Sequence, residues 1–132
     1  MDSPTQISIE RTESTPYMFF DPQTGVVNIR GVSIPEDTED FYGALLKSLQ
    51  AYSEQPEGGS LEVKFQFIYI NTGTSAMIVR LLKILNDLPG DKFKVDIKWF
   101  YEEGDEDMRD LGIYFNSFTG QPFEILPSSE NF

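Results

Sequence analysis

The fold of this chain is decided by residues 61–85, which read LEVKFQFIYINTGTSAMIVRLLKIL. The first ten residues alternate between apolar and polar side chains and then become continuously apolar, as in a strand that enters a core. From Ala76 onward, apolar residues recur at helical spacing until Pro89-Gly90 ends the pattern. The stretch therefore predicts a buried strand, a turn and a helix that follows the turn.

Alternation along the strand predicts which side chains face the core. Phe65, Phe67 and Tyr69 share one face with Leu61 and Val63, so we expect all of them to point inward. On the opposite face, polar residues give way to Ile68 and Ile70 near the turn. We therefore expect burial on both faces at the end of the strand.

The turn itself, Asn71-Thr72-Gly73-Thr74-Ser75, is rich in hydroxyl groups and opens a helix. Unpaired amide groups and the positive end of the helix dipole suit a phosphate there, either bound or attached to Thr or Ser. The same residue types are also common in any strand-to-helix turn that needs an N-cap. Both interpretations stay open at this point, and a P-loop is disfavoured because no Gly-Lys-Ser/Thr is present.

Upstream of this stretch, the sequence predicts a hairpin and a helix. Residues 17–20 and 26–30 look extended around the turn Asp21-Pro-Gln-Thr-Gly25, and residues 7–10 form another extended segment. Ser33-Ile-Pro-Glu36 has the spacing of a capping box, so we expect the first helix to run from about Pro35 to Tyr52.

Downstream, residues 93–99 alternate as a half-exposed strand, a third helix carries Met108, Leu111 and Phe115, and residues 122–126 return as an edge strand. A hairpin followed by alternating helices and strands predicts one α/β domain with a mixed sheet and helices mainly on one face. We expect this single domain to span residues 1–132, with a core from about 7 to 126.

Composition narrows the function classes. The 132 residues carry a net charge of -12, which disfavours nucleic acids and anionic lipids as partners. No apolar run is long enough to span a membrane and no signal peptide is apparent, so we expect no membrane insertion and a cytoplasmic location. Without cysteine or histidine, disulfides, the usual zinc ligand sets and Ser-His-Asp triads are excluded. We expect no cofactor.

A cluster of five carboxylates precedes the third helix, at Glu102, Glu103, Asp105, Glu106 and Asp107. Carboxylates in a first helical turn complement the dipole, which favours a solvated helix start. A docking surface for a basic partner and a site for Ca²⁺ or Mg²⁺ are the alternatives, although the spacing is not that of an EF-hand.

The order of several motifs resembles the SiaC family of bacterial regulatory phosphoproteins, whose fold is similar to anti-sigma factor antagonists (STAS domains). The resemblance runs from about Thr12 to Phe123. The motifs that carry it are Thr15-Pro16, Phe20-Asp21, Ser33-Ile-Pro-Glu36, Phe41-Tyr42, Tyr52, Tyr69-Ile-Asn-Thr72, Trp99-Phe-Tyr-Glu102 and Asp105-Glu-Asp-Met108. Gly73 and Ala76 stand where the family often has Ser and Lys.

This resemblance implies a function. A threonine in the Asn-Thr turn of the family is phosphorylated by a cognate protein kinase and dephosphorylated by a PP2C-like phosphatase, and the matching residue here is Thr72. The resemblance further implies that the unmodified form binds an effector such as a diguanylate cyclase, in cyclic-di-GMP signalling and biofilm formation. Asn71, Gly73, Thr74 and Ser75 would then shape the loop and contact these partners.

The resemblance therefore implies a non-enzymatic switch with no catalytic residue of its own. A constitutive acidic interaction module without phosphorylation is the first alternative. A small Mg²⁺-dependent enzyme that uses Glu102, Glu103 and Asp105 is the second, and the absence of histidine and the poor ligand spacing disfavour it.

Overall fold

The computed structural model describes residues 3–132. It has a six-stranded sheet and three helices in one α/β arrangement, as the sequence predicts. The elements in chain order are β1 (Ile7–Ile9), β2 (Tyr17–Asp21), β3 (Val26–Ser33), α1 (Thr38–Ser53), β4 (Gly59–Ile70), α2 (Thr72–Asn86), β5 (Phe93–Glu102), α3 (Glu106–Asn116) and β6 (Phe123–Ser128).

The strands lie side by side in the order in which they occur in the sequence. β1, β2 and β3 form antiparallel pairs, and the predicted turn joins β2 to β3, with Gly25 at φ 71 donating its amide to the Asp21 carbonyl at 2.8 Å. β3, β4, β5 and β6 are parallel, and one helix connects each successive pair. The sheet is therefore mixed, as expected.

All three helices pack on the same face of the sheet. Tyr52 of α1 contacts Phe20 of β2, and Thr74 of α2 bonds Ser33 of β3. The indole of Trp99 in β5 donates to the Met108 carbonyl of α3 at 2.9 Å. Parallel strands are joined by right-handed crossovers as a rule, and crossovers of one hand that all step in the same direction along the sheet place their helices on one face. Among residues 3–132 no helix lies over the opposite face of the sheet, which carries half-buried polar and apolar side chains.

Two helix starts differ from the predictions. α1 begins at Thr38 with Asp37 as its N-cap, whereas the predicted capping box at Ser33 is wrong because Ser33 is the last residue of β3. Pro35 in the short loop separates the strand from the helix. α2 begins at Thr72, so the predicted turn is already the first turn of the helix.

The predicted inward position of Tyr69 is also wrong. The pairing of β3 with β4 shifts after Gly31, which pairs with Phe67, because the next residue, Val32, pairs with Tyr69. Ile68 is therefore an extra residue, a β-bulge that reverses the alternation. As a result Tyr69 is 59% exposed, while Ile70 lies in the core.

Residues 129–132 fold back over the helix-free face. Phe132 is buried there, with its amide donating to Glu102 Oε2 at 2.8 Å and its carbonyl accepting from the Arg11 guanidinium. The Arg30 guanidinium lies 6.0 Å from the Phe132 ring centroid, and it donates to the Asn131 carbonyl at 2.8 Å. The folded structure thus continues beyond the last strand.

Candidate functional site at the start of α2

The candidate site lies where the parallel strands end. Because parallel strands place their carboxyl ends on one edge of a sheet, the loops after β3, β4 and β5 meet at this edge, which we call the carboxyl edge. The amide of Asn71 donates to the Ser33 carbonyl at 3.1 Å, which joins the first two of these loops. The start of α2 therefore lies between the starts of α1 and α3.

Asn71 is the N-cap of α2. Its backbone is extended, and its side-chain oxygen accepts from the Thr74 amide at 2.9 Å, which satisfies one of the unpaired amides of the first turn. Thr72 is the first residue of the helix, and its side chain is exposed to solvent. The N-cap interpretation of this turn is therefore correct for Asn71, and it leaves the Thr72 hydroxyl free for other chemistry.

Thr74 is in the opposite environment, with 0% of its surface exposed. Its hydroxyl donates to the Ser33 carbonyl at 3.0 Å and lies 2.9 Å from the Ser33 hydroxyl. Because a partner protein cannot reach this hydroxyl in the folded state, Thr74 shapes the turn from inside. Ser75, one residue further, is half-buried.

The Ser33 hydroxyl also lies 2.6 Å from the Tyr42 hydroxyl of α1, which gives a buried chain of three hydroxyl groups. Burial raises the pKa of Tyr42 to about 12, and the hydrogen bonds to Ser33 and Thr74 oppose this shift. A buried polar network rigidifies its surroundings only when every member is bonded. Within residues 3–132, no buried side-chain oxygen or nitrogen lacks a partner, so this condition is met.

Gly73 marks a close approach between helices. A Cβ atom at this position would overlap the Thr38 hydroxyl at the start of α1. The role of Gly73 in the turn is therefore steric, since its backbone does not have a positive φ. It allows the first turns of α1 and α2 to touch.

The acidic cluster lies at the same edge, at the start of α3. Asp105 is the N-cap and accepts from the Met108 amide at 3.0 Å, while Glu106 and Asp107 are exposed in the first turn. Glu102 accepts from the Phe132 amide, and Glu103 is exposed. No three carboxylates among residues 3–132 converge closely enough to share a metal ion. Asp105, Glu106 and Asp107 therefore form the solvated start of α3, which is the first of the interpretations given for this cluster.

The carboxyl edge is uniformly acidic. Residues 33–40, 69–75 and 101–107 contain nine carboxylates and neither lysine nor arginine. The nearest arginine along α2, Arg80, is two turns below Thr72 and pairs with Glu39 at 2.7 Å. A phosphate on Thr72 would therefore find no free cation in these three loops.

Sequence reasoning missed two features of this edge. The first is the buried contact between Ser33 and Tyr42 beneath the turn, which no local sequence pattern predicts. The second is the exposure of two apolar side chains, Ile34 and Tyr69. The run of four apolar residues from Phe67 to Ile70 breaks strict alternation, and this was the available signal for the bulge.

Within the part of the chain that the structure describes, no helix is both long enough and apolar enough to cross a membrane.

Comparison with known proteins supports the resemblance seen in the motifs. The model of a family described as SiaC family regulatory phosphoprotein matches residues 9–128. A curated relative, an uncharacterized protein of Pseudomonas aeruginosa strain UCBPP-PA14, is 24% identical over 126 residues, covering 96% of this chain and 99% of the relative.

Solved structures of SiaC from Pseudomonas aeruginosa have the same fold. One is 22% identical with a TM-score of 0.83, covering 94% of this chain and 99% of that one. Another is SiaC as the activator in a complex with the diguanylate cyclase SiaD, 24% identical with a TM-score of 0.86, covering 92% and 99%. The family match spans most of the sequence, and the chain therefore belongs to the SiaC family of regulatory phosphoproteins.

Proposed function

We propose that this protein is a non-enzymatic cytoplasmic switch whose state is set by reversible phosphorylation of Thr72. A cognate protein kinase adds the phosphate, a PP2C-like phosphatase removes it, and the unmodified form binds an effector such as a diguanylate cyclase. Membership in a family of regulatory phosphoproteins supports the modification. The complex in which the relative SiaC activates the diguanylate cyclase SiaD supports this class of effector.

The observation that carries the proposal is the contrast among the three hydroxyl groups of the turn. Thr72 is exposed, Thr74 is completely buried and Ser75 is half-buried. A kinase has to reach the acceptor oxygen from outside, so Thr72 is the accessible acceptor. Asn71 caps the helix and Thr74 anchors its first turn, so both hold Thr72 at the surface.

The chemistry requires no cofactor from this chain. The Thr72 hydroxyl oxygen attacks the γ-phosphorus of a nucleoside triphosphate held by the kinase, the bond to the nucleoside diphosphate breaks, and a base of the kinase accepts the hydroxyl proton. In the phosphatase, water attacks the phosphorus, which restores the hydroxyl and releases inorganic phosphate. The protein is thus the substrate in both reactions.

Phosphorylation acts through the surface and leaves the fold unchanged in this proposal. A phosphate at a helix N-terminus gains at most about 2 kcal/mol from the dipole, whereas inverting a 1:99 equilibrium requires about 5.5 kcal/mol. The loops of the carboxyl edge contain no cation that would draw the phosphate inward. A doubly charged group would therefore remain where an effector contacts Thr72, and its desolvation would weaken that contact.

The surroundings of Thr72 indicate how an effector is recognised. Ile34, in the loop after β3, and Tyr69, near the end of β4, are exposed apolar side chains that flank Thr72. Exposed aromatic residues of this kind are common anchors of protein interfaces. Glu103, Glu106 and Asp107 lie on the next loop and helix start, where they provide a docking surface for basic side chains.

The assignment of Thr72 is tested by reconstitution with the cognate kinase and by mass spectrometry of the tryptic peptide 65–80, which contains all three hydroxyl residues of the turn together with Tyr69. We expect phosphate on Thr72 in the wild type and in the control variant Ser75→Ala, and none in Thr72→Ala. Unchanged phosphorylation of Thr72→Ala would refute the assignment. The same peptide recovered from native cells, with phosphatases inhibited, shows whether the modification occurs in vivo.

Control of the effector is tested separately with protein phosphorylated stoichiometrically on Thr72. We expect its affinity for a cognate diguanylate cyclase to fall at least tenfold, with the circular dichroism spectrum unchanged. Equal affinity of both forms would favour a constitutive interaction module, the alternative that needs no phosphorylation.

A further inference from the structure

The outer side of α3 carries a second surface, which shares only Asp107 with the docking surface proposed above. Asp107, Asp110 and Tyr114 lie at intervals of three and four residues on this helix, and Phe118 follows just beyond its end. Ile113 lies beside Tyr114. We call these five residues the α3 stripe, which is acidic near the start of the helix and apolar near its end.

The apolar half of the α3 stripe is unusually exposed for a small domain. Ile113 is 55%, Tyr114 53% and Phe118 41% exposed, and these are three of the five large apolar side chains exposed within residues 3–132. The rings of Tyr114 and Phe118 meet edge to face at 5.0 Å, so they form one continuous patch. Contiguous apolar patches with a polar rim mark interaction sites more often than scattered apolar residues do.

The patch rests on a rigid base. Tyr114 contacts Phe115 at 5.3 Å between ring centroids, and Phe115 contacts Trp99 at the same distance. Both Phe115 and Trp99 are completely buried. The exposed rings are therefore held in place by the core, which lowers the entropy cost of binding.

We propose that the α3 stripe is a docking surface for an amphipathic helical segment of a partner protein, with apolar residues at one end and Lys or Arg at the other. The apolar end covers Tyr114 and Phe118, and the basic end faces Asp107 and Asp110. Arg109 contacts Asp110 at 3.2 Å and offsets part of its charge, so Asp107 provides most of the attraction. Both groups of this ion pair are exposed, so it is weak and exchangeable.

Charge argues against two other occupants of the α3 stripe. A second copy of this chain carries the same net charge of -12, and an antiparallel pair of α3 helices would set Asp107 against the apolar end of its neighbour. An anionic lipid surface would be repelled for the same reason. A basic segment of another protein complements both halves of the stripe.

The apolar end of the α3 stripe is separate from the surface around Thr72. α3 starts at the carboxyl edge and runs away from it, so its last residue, Asn116, lies roughly 15 Å along the helix axis from Glu106, at 1.5 Å per residue, and Phe118 follows beyond that end. A partner on the apolar end of the stripe therefore does not cover Thr72. The protein could remain tethered to this partner in both phosphorylation states.

A designed peptide tests the inference without knowledge of the natural partner. The probe is a fluorescent 14-residue helix with leucine at positions i, i+3, i+4 and i+7 at one end and three lysines at the other, and its dissociation constant is measured by anisotropy. Backbone amide shifts of the ¹⁵N-labelled protein locate the contact. Control peptides replace leucine by serine, or rearrange the sequence so that both faces are mixed.

We expect the largest shifts at residues 107–118, and a loss of affinity of at least tenfold in the variant I113S/Y114S/F118S. In the single variant Ile113→Ser, chosen because this side chain is least coupled to the core, the affinity for the peptide should fall about threefold. The circular dichroism spectrum of this variant should be unchanged. In the variant D107N/D110N the affinity for the peptide should fall severalfold, and it should depend less on the salt concentration. The control Tyr69→Ser, an equally exposed apolar residue at the carboxyl edge, should bind as the wild type does.

Three results would overturn the inference. The first is that the wild type and Ile113→Ser bind the probe equally and that the mixed peptide binds as well as the probe does. The contact would then depend on net charge alone. The second is a map of shifts centred on residues 69–75. The third is a concentration-dependent dimer in sedimentation that Ile113→Ser abolishes, which would assign the stripe to a second copy. None of these depends on phosphorylation of Thr72.

Discussion

Thr72 and Thr74 are two residues apart on the first turn of α2, yet the Thr72 side chain is exposed while the Thr74 hydroxyl lies 2.9 Å from the Ser33 hydroxyl inside the core. Two residues along an α-helix turn a side chain by about 200°, so two threonines of one turn can serve opposite purposes. One presents an acceptor to partners, and the other fixes the position of that acceptor.

This contrast predicts opposite effects of the same substitution. Thr74→Val keeps the shape of the side chain but leaves the Ser33 groups with fewer partners, so we expect a loss of about 1–3 kcal/mol in the free energy of unfolding. Thr72→Val is the matched control and should change it by less than about 0.5 kcal/mol. Urea unfolding measures both, and equal losses would contradict the burial of Thr74.

The raised pKa of Tyr42 predicts a loss of stability in alkali. Its folded-state pKa of about 12 exceeds the ordinary value of 10.0, so the folded state retains a proton that the unfolded chain releases. The contribution is complete below pH 10 and declines as the pH rises toward 12, by about 2–3 kcal/mol in total. Tyr42→Phe should remove this slope from unfolding curves measured between pH 9 and 11.5.

Comparison of the wild type with Tyr42→Phe is necessary because burial and Glu57 also raise the pKa of Tyr52. That second contribution is common to both proteins and cancels in the difference. A difference between the two proteins that stays constant across this pH range would contradict the prediction.

The close approach at Gly73 predicts that Gly73→Ala changes stability in opposite directions in the wild type and in a variant that lacks the Thr38 hydroxyl. Alanine is favoured over glycine within a helix by roughly 1 kcal/mol, but its Cβ at position 73 would overlap the Thr38 hydroxyl. We therefore expect Gly73→Ala to destabilise the wild type by about 1–2 kcal/mol. In the Thr38→Ala background the same change should be neutral or stabilising, and a double-mutant cycle by thermal unfolding checks this.

The acidic surroundings of Thr72 predict that a cation added nearby would capture its phosphate. Ala76 is exposed one turn further along α2, and a lysine there lies at the i+4 position. We expect Ala76→Lys to stabilise the form phosphorylated on Thr72 by about 0.5 kcal/mol more than the unmodified form. Ala76→Gln is the control. The same increment in both forms would mean that the phosphate already has another cation.

The bulge at Ile68 predicts opposite results for two aromatic residues that strict alternation would place together. Phe67→Ala removes a buried ring and should cost about 3–5 kcal/mol in the free energy of unfolding. Tyr69→Ala removes an exposed ring and should cost less than about 1 kcal/mol. Guanidinium unfolding of the two variants decides whether the register shift is present in solution.

Much of this architecture could be predicted from the sequence because its signals are local. Alternation in residues 93–99, helical spacing after Ala76 and the Asp21–Gly25 turn each correspond to an observed element. Their order predicts a mixed sheet with helices on one face, which is confirmed. Here local pattern and global fold agree, as is common outside functional sites.

The details of the candidate site depend on contacts between distant segments, and these escaped prediction. Ser33 has the spacing of a cap, but its hydroxyl bonds Tyr42 and Thr74, which lie 9 and 41 residues away. Thr72 and Thr74 are equivalent in composition and differ only in which direction the helix faces. Residue type alone predicts a hydroxyl-rich turn, and only packing distinguishes its exposed acceptor from its buried anchor.

Strand order has a consequence for how the chain folds. Because each strand of the sheet pairs with the next one in sequence, each pairing closes only one hairpin or one helical crossover. The contacts of the last residues with Arg11 and Arg30 are the exceptions, since they span 121 and 101 residues. We expect the sheet to assemble progressively from neighbouring strands. The packing of Phe132 against Arg30 and Arg11 should then be the last and slowest step.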